Sequence, residues 1–302
     1  MVKVTVLGDI NADIITSQIS RLPKKDNQIT IDSIILQPGG SSFNTALACA
    51  RMRMKTRFIG KIGNDEFSKY LLKIGKSFGV DMRVKVDRES KTGATMAINF
   101  DDGERSFITF KGPNDTLKMS DFDLKKIKGQ VLCISGFNLL DGLRKDVRSI
   151  FEYVRNKGMI TVLDPNWDPQ GWGKERLREL KRVLKETDIF LPDIDEARMV
   201  SRRPTPNLML KRIMKMGPQI VALKMGKKGC MIGYEDRILK ISAPQVKPIH
   251  TVGPGDVFTA AFLKSYLGKK SLYYCGKFAV YMASKSTTKS GLDRYPKFGG
   301  YR

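Results

Sequence analysis

Val131-Leu132-Cys133-Ile134-Ser135, the helix-period stretch Arg144 to Asn156, and Met159-Ile160-Thr161-Val162-Leu163-Asp164 decide the fold class. The two outer runs are almost uninterruptedly apolar. A strand with one face in water alternates apolar and polar residues, whereas a strand covered on both faces reads as a continuous apolar run. A helix between two such strands makes a βαβ unit, and βαβ units build a parallel sheet.

The same rhythm extends in both directions. Val2 to Leu7, Thr56 to Ile62, Thr187 to Leu191 and Ile220 to Met225 read as strands. Asn44 to Met54, Asp65 to Phe78, Glu175 to Lys185, Leu208 to Met216 and Asp256 to Leu267 read as helices. The expected architecture is α/β: a doubly wound, mostly parallel sheet with helices on both faces. Two segments break the rhythm. Ile29 to Leu36 and Thr92 to Phe110 are rich in β-branched residues with no helix between strands, and Gly103 marks a hairpin turn. They read as a small inserted β lid, with lid segments near 12–37 and 90–112. No repeat or linker divides the chain, so one domain over residues 1–302 is expected.

Composition narrows the function. The chain has 302 residues, long enough to bury about 75% of its unfolded surface without a disulfide or metal staple. No run of 18 apolar residues occurs, and Met1 to Asp9 lacks the pattern of a secretory signal, so a cytoplasmic location and no membrane partner are expected. Cys49, Cys133, Cys230 and Cys275 form no C-x-x-C pair and sit among apolar neighbours, as buried thiols do. His250 is the only histidine, and nothing near it resembles a nucleophile elbow. The 54 Lys and Arg outnumber the 31 Asp and Glu, for a net charge of +23. Such an excess favours polyanions. The basic residues are scattered, however, and are not interleaved with aromatic stacking residues, so nucleic acid is not the expected partner.

No G-x-G-x-x-G follows the first strand and no G-x-x-x-x-G-K-[ST] occurs, which leaves dinucleotide-binding and P-loop units unsupported. The informative segment is Thr251-Val252-Gly253-Pro254-Gly255-Asp256-Val257-Phe258. Two glycines precede an acid that opens an apolar helix. Bare backbone lets an anion approach, and a helix start offers unpaired N–H groups and the positive dipole end. An acid there would repel a phosphate unless it served as a base for an attacking hydroxyl. An Asp that merely caps a helix after a glycine turn fits the same pattern. A second segment, Gly39-Gly40-Ser41-Ser42-Phe43-Asn44, runs a glycine pair into a small-residue helix and suits vicinal hydroxyls. A third, Gly8-Asp9-Ile10-Asn11-Ala12-Asp13, stands at the end of the first strand, the edge where open parallel sheets bind ligands.

In this order the segments resemble the PfkB/ribokinase family of carbohydrate and nucleoside kinases, over nearly the whole chain. Gly39-Gly40 to Asn44, continued by Phe58-Ile59-Gly60-Lys61-Ile62-Gly63-Asn64-Asp65, is similar to the N-terminal signature. Gly103-Glu104-Arg105 resembles the lid turn, Asp164-Pro165-Asn166 a mid-chain strand end, and Gly253 to Asp256 the C-terminal G-[AP]-G-D signature. The resemblance implies a ribokinase-like fold and transfer of the ATP γ-phosphoryl group to a hydroxyl of a sugar or sugar-like molecule, with Mg²⁺. By the same resemblance Asp256 is the base, and Gly253 and Gly255 belong to the anion hole. Asn11, Asp13, Gly39, Gly40, Asn44 and Asn166 contact the acceptor. Asp193, Lys224, Gly226, Gly229 and Pro254 border the nucleotide, Glu196 serves the metal through water, and the stretch Phe278 to Gly291 closes over the adenine. A homodimer through the lid is also implied.

The chain departs from the family pattern at three places. Asp193 replaces the usual Asn, His250 the usual acid, and Asp168 the Arg of D-P-N-x-R. His250 removes the expectation of potassium dependence, and Asp168 argues against a sugar-acid acceptor; Arg105 fits a compensating cation from the lid, but fits an exposed hairpin residue better. A nucleoside acceptor, with Phe43 stacked on its base, is the alternative reading. A nucleic-acid-binding protein on the same scaffold is a second.

Overall fold

The computed structural model of the chain describes residues 1–249 and 253–299. Nine strands form one sheet in the order β13-β12-β11-β10-β9-β8-β1-β4-β5. Its parallel part comprises β1 (Val4–Gly8), β4 (Thr56–Ile62), β5 (Asp81–Val86), β8 (Val131–Ser135), β9 (Ile160–Asp164), β10 (Ile189–Phe190) and β11 (Ile220–Lys224). The antiparallel strands β12 (Cys230–Tyr234) and β13 (Arg237–Ile241) finish one edge.

The apolar runs explain the layers. Val4, Val6, Val131 and Cys133 point to one face, where α1 (Ser41–Arg51), α2 (Glu66–Ser77), α8 (Pro254–Leu267) and α9 (Leu272–Ser286) pack. Leu7, Leu132 and Ile134 point to the other. There they meet α4 (Val147–Arg155), α5 (Lys174–Leu184), α6 (Ile194–Ser201) and α7 (Pro206–Met214). Alternation along each strand thus buries both faces, as continuous apolar strands require. All four cysteines are buried and free.

A separate four-stranded sheet has the order β3-β2-β6-β7, from β2 (Asn11–Ile19), β3 (Ile34–Gly39), β6 (Ala94–Phe100) and β7 (Arg105–Phe110). The hairpin at Gly103, φ 88°, joins β6 to β7.

Several elements differ from the sequence reading. The strand expected at Ile29 to Leu36 lies at Ile34–Gly39. Helix α1 begins at Ser41, three residues before Asn44, because Gly40 turns the chain at φ 85° and the Asp9 carboxylate accepts the Ser41 and Ser42 N–H groups from outside the helix. Helix α8 likewise starts early, at Pro254, a residue whose fixed φ suits a first helical turn. The Arg144 to Asn156 helix is two pieces, the single turn α3 (Asp141–Arg144) and α4. Phe43 does not face a ligand base: it is fully buried, edge-on to Phe58 with ring centroids 5.3 Å apart. His250, Thr251 and Val252 lie outside the described residues.

Candidate active site

The C-terminal ends of β1, β9 and β11 converge with the first turns of α1 and α8. Asp9, just past β1, receives Ser41 N–H at 2.9 Å and Ser42 N–H at 2.8 Å. It thereby fastens the Gly39-Gly40 turn to the sheet. A Cβ on Gly40 would stand 2.8 Å from the Asp9 carbonyl oxygen, and one on Gly39 would overlap the Asp13 carboxylate. The glycine pair is therefore a steric requirement of this corner. Burial pushes the Asp9 carboxyl up, against the Ser42 and Ser41 N–H groups that pull it down.

Asp13 sits on Gly39, and among the described residues no hydrogen bond reaches its carboxylate. Burial raises it to about 7, the Arg294 charge opposing and the Asp9 charge adding to the rise. Asn11 Oδ1 accepts from Asn114 Nδ2 at 2.6 Å, and Asn114 Oδ1 accepts the Ile10 N–H at 3.0 Å. Asn114 thus braces the strand that carries Asn11 and Asp13.

Asp256 is the third residue of α8 and is 7% exposed. Its carboxylate does not cap its own helix. Oδ1 accepts the Ser41 hydroxyl at 2.7 Å, which ties α8 to α1. Burial raises this carboxyl to about 7; Ser41 and Lys224 oppose the rise, and the Asp164 and Asp9 charges add to it. A Cβ on Gly253 would lie 3.7 Å from Asp256 Oδ2 and 3.9 Å from Asn44 Nδ2. The first-turn N–H groups of a helix have no intrahelical acceptor. Pro254 carries none, which leaves Gly253, Gly255 and Asp256 as the donors of this turn.

Beside it lies a buried charge cluster. Lys224 Nζ, at the end of β11, is 2.7 Å from Asp164 Oδ2 at the end of β9, and Thr259 of α8 donates to that same oxygen at 2.9 Å. Glu196, 3% exposed, accepts the Asp193 N–H through Oε2 at 2.7 Å, while Asp193 Oδ1 accepts the Asp195 and Glu196 N–H groups. The pair is a capping box that fixes the start of α6. Burial raises Glu196 to about 8; Lys224 opposes the rise, and Asp164 and Asp193 add to it. Among the described residues no cluster of three or more His, Cys, Asp or Glu could hold a metal ion by itself.

A cleft of about 430 Å³ opens from this cluster. Lys224, Gly226, Gly229, Pro254 and Gly255 line its polar end, and Val246, Phe258, Val280, Ala283 and Thr287 its apolar end. The late helix α9 thus walls the cleft, although Phe278 itself is buried in the core. A larger hollow of about 640 Å³ runs along edge strand β5 between Arg83, Lys85 and Phe122; it shares no residue with the cluster.

The structure therefore gathers Asp13, Gly39, Gly40, Asn44, Gly253, Gly255 and Asp256 at one corner, with Asn11 on the braced strand. Lys224, Gly226, Gly229 and Pro254 line the adjoining cleft. Asn166 is less directly placed. It adopts φ 58°, its Oδ1 accepts the Trp167 N–H, and its carbonyl accepts Asn138 Nδ2. Asp168 is buried and faces Arg176, 3.4 Å away. Arg105 opens β7 and is partly buried, which lowers its guanidinium. The sequence reading missed Asp9, Ser41, Asn114, Arg294 and Tyr295. Ser41 and Asp9 stood inside quoted motifs, but their partners are distant in sequence. Arg294 and Tyr295 belong to no motif.

The sequence profile of the pfkB family carbohydrate kinases matches residues 1–297. A sugar kinase of Archaeoglobus fulgidus, described as uncharacterized, is 29% identical over 249 residues, covering 81% of this chain and 96% of its own. A fructokinase of Salmonella typhimurium is 26% identical over 270 residues, covering 87% of this chain and 84% of its own. Among solved structures, the Arabidopsis thaliana ribokinase complexed with ribose and ATP superposes with a TM-score of 0.83 at 24% identity, over 99% of this chain and 97% of that one.

Proposed function

The chain belongs to the pfkB family of carbohydrate kinases, phosphotransferases with an alcohol acceptor, and on that premise we propose that it transfers the γ-phosphoryl group of ATP to a hydroxyl of a sugar. The observation that carries this reading is the corner where Asp256, Asn44 and Gly253 meet beside a cleft of nucleotide size. Asp13, Asn11 and the Gly39-Gly40 backbone take the acceptor's hydroxyls. Asp256 takes the proton of the attacking hydroxyl, the new bond forms between that oxygen and the γ-phosphorus, and the bond to the β-phosphate oxygen breaks to release ADP. The N–H groups of Gly253, Gly255 and Asp256 face the charge that gathers on the transferred group.

With a folded-state value near 7, Asp256 is suited to this work at neutral pH, since a base acts best when its own pKa is close to the ambient one. The donor set fits Mg²⁺ only indirectly. Glu196 and Asp193 already bind backbone N–H groups, so they would hold the ion through waters, as Mg²⁺ accepts readily. When bound with the nucleotide, the ion supplies charge neutralisation. Lys224, locked on Asp164, borders the phosphate end of the cleft.

The small sheet of β2, β3, β6 and β7 acts as a lid over the acceptor and excludes water. Ile34, Leu36, Met96, Ile108 and Phe110 share one face of it and are exposed. Large apolar patches mark interaction surfaces, and a homodimer closed through this sheet would cover them. Sedimentation velocity of the wild type against Met96→Glu and Ile108→Glu reads that: a dimer that becomes a monomer in the variants is expected, and a monomeric wild type contradicts it.

The test of function is a coupled ADP-release assay with Mg-ATP and a panel of D-ribose, D-fructose, other sugars and polyols, and adenosine. Turnover on a sugar and not on the nucleoside is expected. Phe43, the one residue that favoured a nucleoside, is locked in the core. Absence of turnover across the panel would sink the kinase reading.

A further inference from the structure

The last 3-10 turn, Gly291–Arg294, brings a charge into the acceptor corner. Arg294 is 2% exposed. Its Nη2 donates to the Pro38 carbonyl at 2.6 Å, to Asn44 Oδ1 at 3.1 Å and to the Tyr295 hydroxyl oxygen at 2.8 Å. The Tyr295 O–H donates to the same Asn44 Oδ1 at 2.7 Å. Two donors thus converge on one end of the Asn44 amide. Turning that amide over would set its own N–H₂ against both of them. Its Nδ2 is therefore held on the other side, beside Gly253 and Asp256.

Arg294 is poorly explained as a structural group. Its Nε and Nη1 are buried and have no partner among the described residues. Leaving charged donors unsatisfied in the interior is unfavourable. The Nε also lies 4.0 Å from the position a Cβ would take on Gly253, on the same corner as Asn44 Nδ2.

We propose that Arg294 is a positioning residue for the acceptor. Through Asn44 it fixes a single hydrogen-bond donor beside Gly253 and Asp256, and it sets a positive charge within the field of Asp13. An acceptor with adjacent hydroxyls then meets one donor, from Asn44, and two carboxylates, Asp13 and Asp256, in a set order. This rests on the kinase reading above.

Asp13 faces Arg294 from the 3-10 turn and Asp9 from the end of β1; Tyr295 and Asp256 complete the surroundings, and Tyr70 of α2 also lies within the field of Arg294. Burial raises the Asp13 carboxyl and Arg294 pulls it down. Without Arg294 it rises further, so Asp13 holds its proton at neutral pH and loses it only in more alkaline solution.

The experiment compares the wild type with Arg294→Met, Arg294→Lys and Tyr295→Phe, using D-ribose and D-fructose with Mg-ATP between pH 6.5 and 9. In Arg294→Met the acceptor KM rises about 10- to 100-fold, the effect of losing a charged hydrogen bond, the KM for ATP stays put, and part of the loss is recovered as the pH rises. Arg294→Lys restores the charge and so lacks the alkaline recovery, but keeps a raised KM. Tyr295→Phe raises the KM without a pH signature, and it decides the matter if Arg294→Met does not fold. Acceptor KM values within twofold of the wild type in every folded variant would overturn the proposal. If the wild type phosphorylates neither sugar, carboxyl ¹³C titration of Asp13 decides it instead. An upward shift of that titration in Arg294→Met is expected, and an unchanged titration in that variant, or in Arg294→Gln if the methionine variant does not fold, would overturn it. Failure of the kinase reading is seen in the wild type alone, so the two failures are distinguishable.

Discussion

Asp256→Asn lowers turnover by about 10²- to 10⁴-fold, the usual contribution of a positioned general base, while ATP binding measured by titration calorimetry is retained. The amide keeps the shape of the carboxylate and can still accept the Ser41 hydroxyl, so the loss isolates proton transfer. The pH profile adds a second signature. With Asp256 at about 7, wild-type kcat/KM climbs through neutrality as the carboxyl loses its proton. Ser41 donates to that carboxylate and lowers it, so Ser41→Ala moves the acid limb to higher pH. Stability runs the other way. The folded-state value lies above the unfolded value of about 3.9, so this group's contribution to folding is fully present below the unfolded value and is lost as the pH rises through about 7. Asp256→Asn is therefore at least as stable as the wild type at pH 8. Full activity of Asp256→Asn would refute the assignment, and a collapse of its melting temperature at pH 8 would refute the burial argument.

Lys224→Met destabilises the protein by about 3–5 kcal/mol, the range for removing one partner of a buried ion pair. Its Nζ is the cation facing Asp164, and Glu196, Asp193 and Asp256 also lie within its field. Burial pushes the ammonium down, but the Asp164 and Glu196 charges outweigh burial and hold it above its ordinary value. Remove it, and the carboxylates repel one another in a site with little water. Urea unfolding at pH 8.5 shows the full loss. At pH 5.5 the loss shrinks, because Glu196, already raised by burial, takes up a proton and part of the repulsion goes with it. Equal losses at the two pH values would mean that packing, and not charge, is what Lys224 supplies.

The sequence made the layers legible because a short apolar run bounded by turn residues, too short for a helix, is the mark of a strand buried on two faces. The runs at Val131 and Met159 read as central strands, and they are. Edge elements leave weaker marks. β5, Asp81–Val86, alternates charged and apolar residues on an exposed edge, and β13, Arg237–Ile241, is a five-residue strand at the other edge with no clear alternation. Neither was read as a strand. β2 was hidden because Asn11 to Asp13 reads equally well as a turn, and its pairing with β3 and β6 is visible only in three dimensions.

The site divides in the same way. Gly39, Gly40, Gly253 and Asp256 stood out because bare backbone beside a polar residue is conspicuous in one dimension. Asp9 and Ser41 were inside those segments, yet their roles depend on a contact between residues 41 and 256 that no spacing reveals. Arg294 and Tyr295 were not legible at all. A Leu-Asp-Arg-Tyr-Pro run near the end of a chain resembles any polar turn, and only the fold carries it beneath Asn44. The cluster around Lys224 was half legible. Its strand end was found, but the pairing with Asp164 joins residues from different βα units.

Transfer requires an acceptor hydroxyl beside one carboxylate, that of Asp256. A crystal structure of the protein with D-fructose or D-ribose and a non-hydrolysable ATP analogue measures that distance directly. The account predicts a hydroxyl within about 2.6–3.2 Å of Asp256, with the terminal phosphate of the analogue at the first turn of α8. A sugar bound with no hydroxyl near Asp256, or a nucleotide whose phosphates turn away from Gly253 and Gly255, would contradict it.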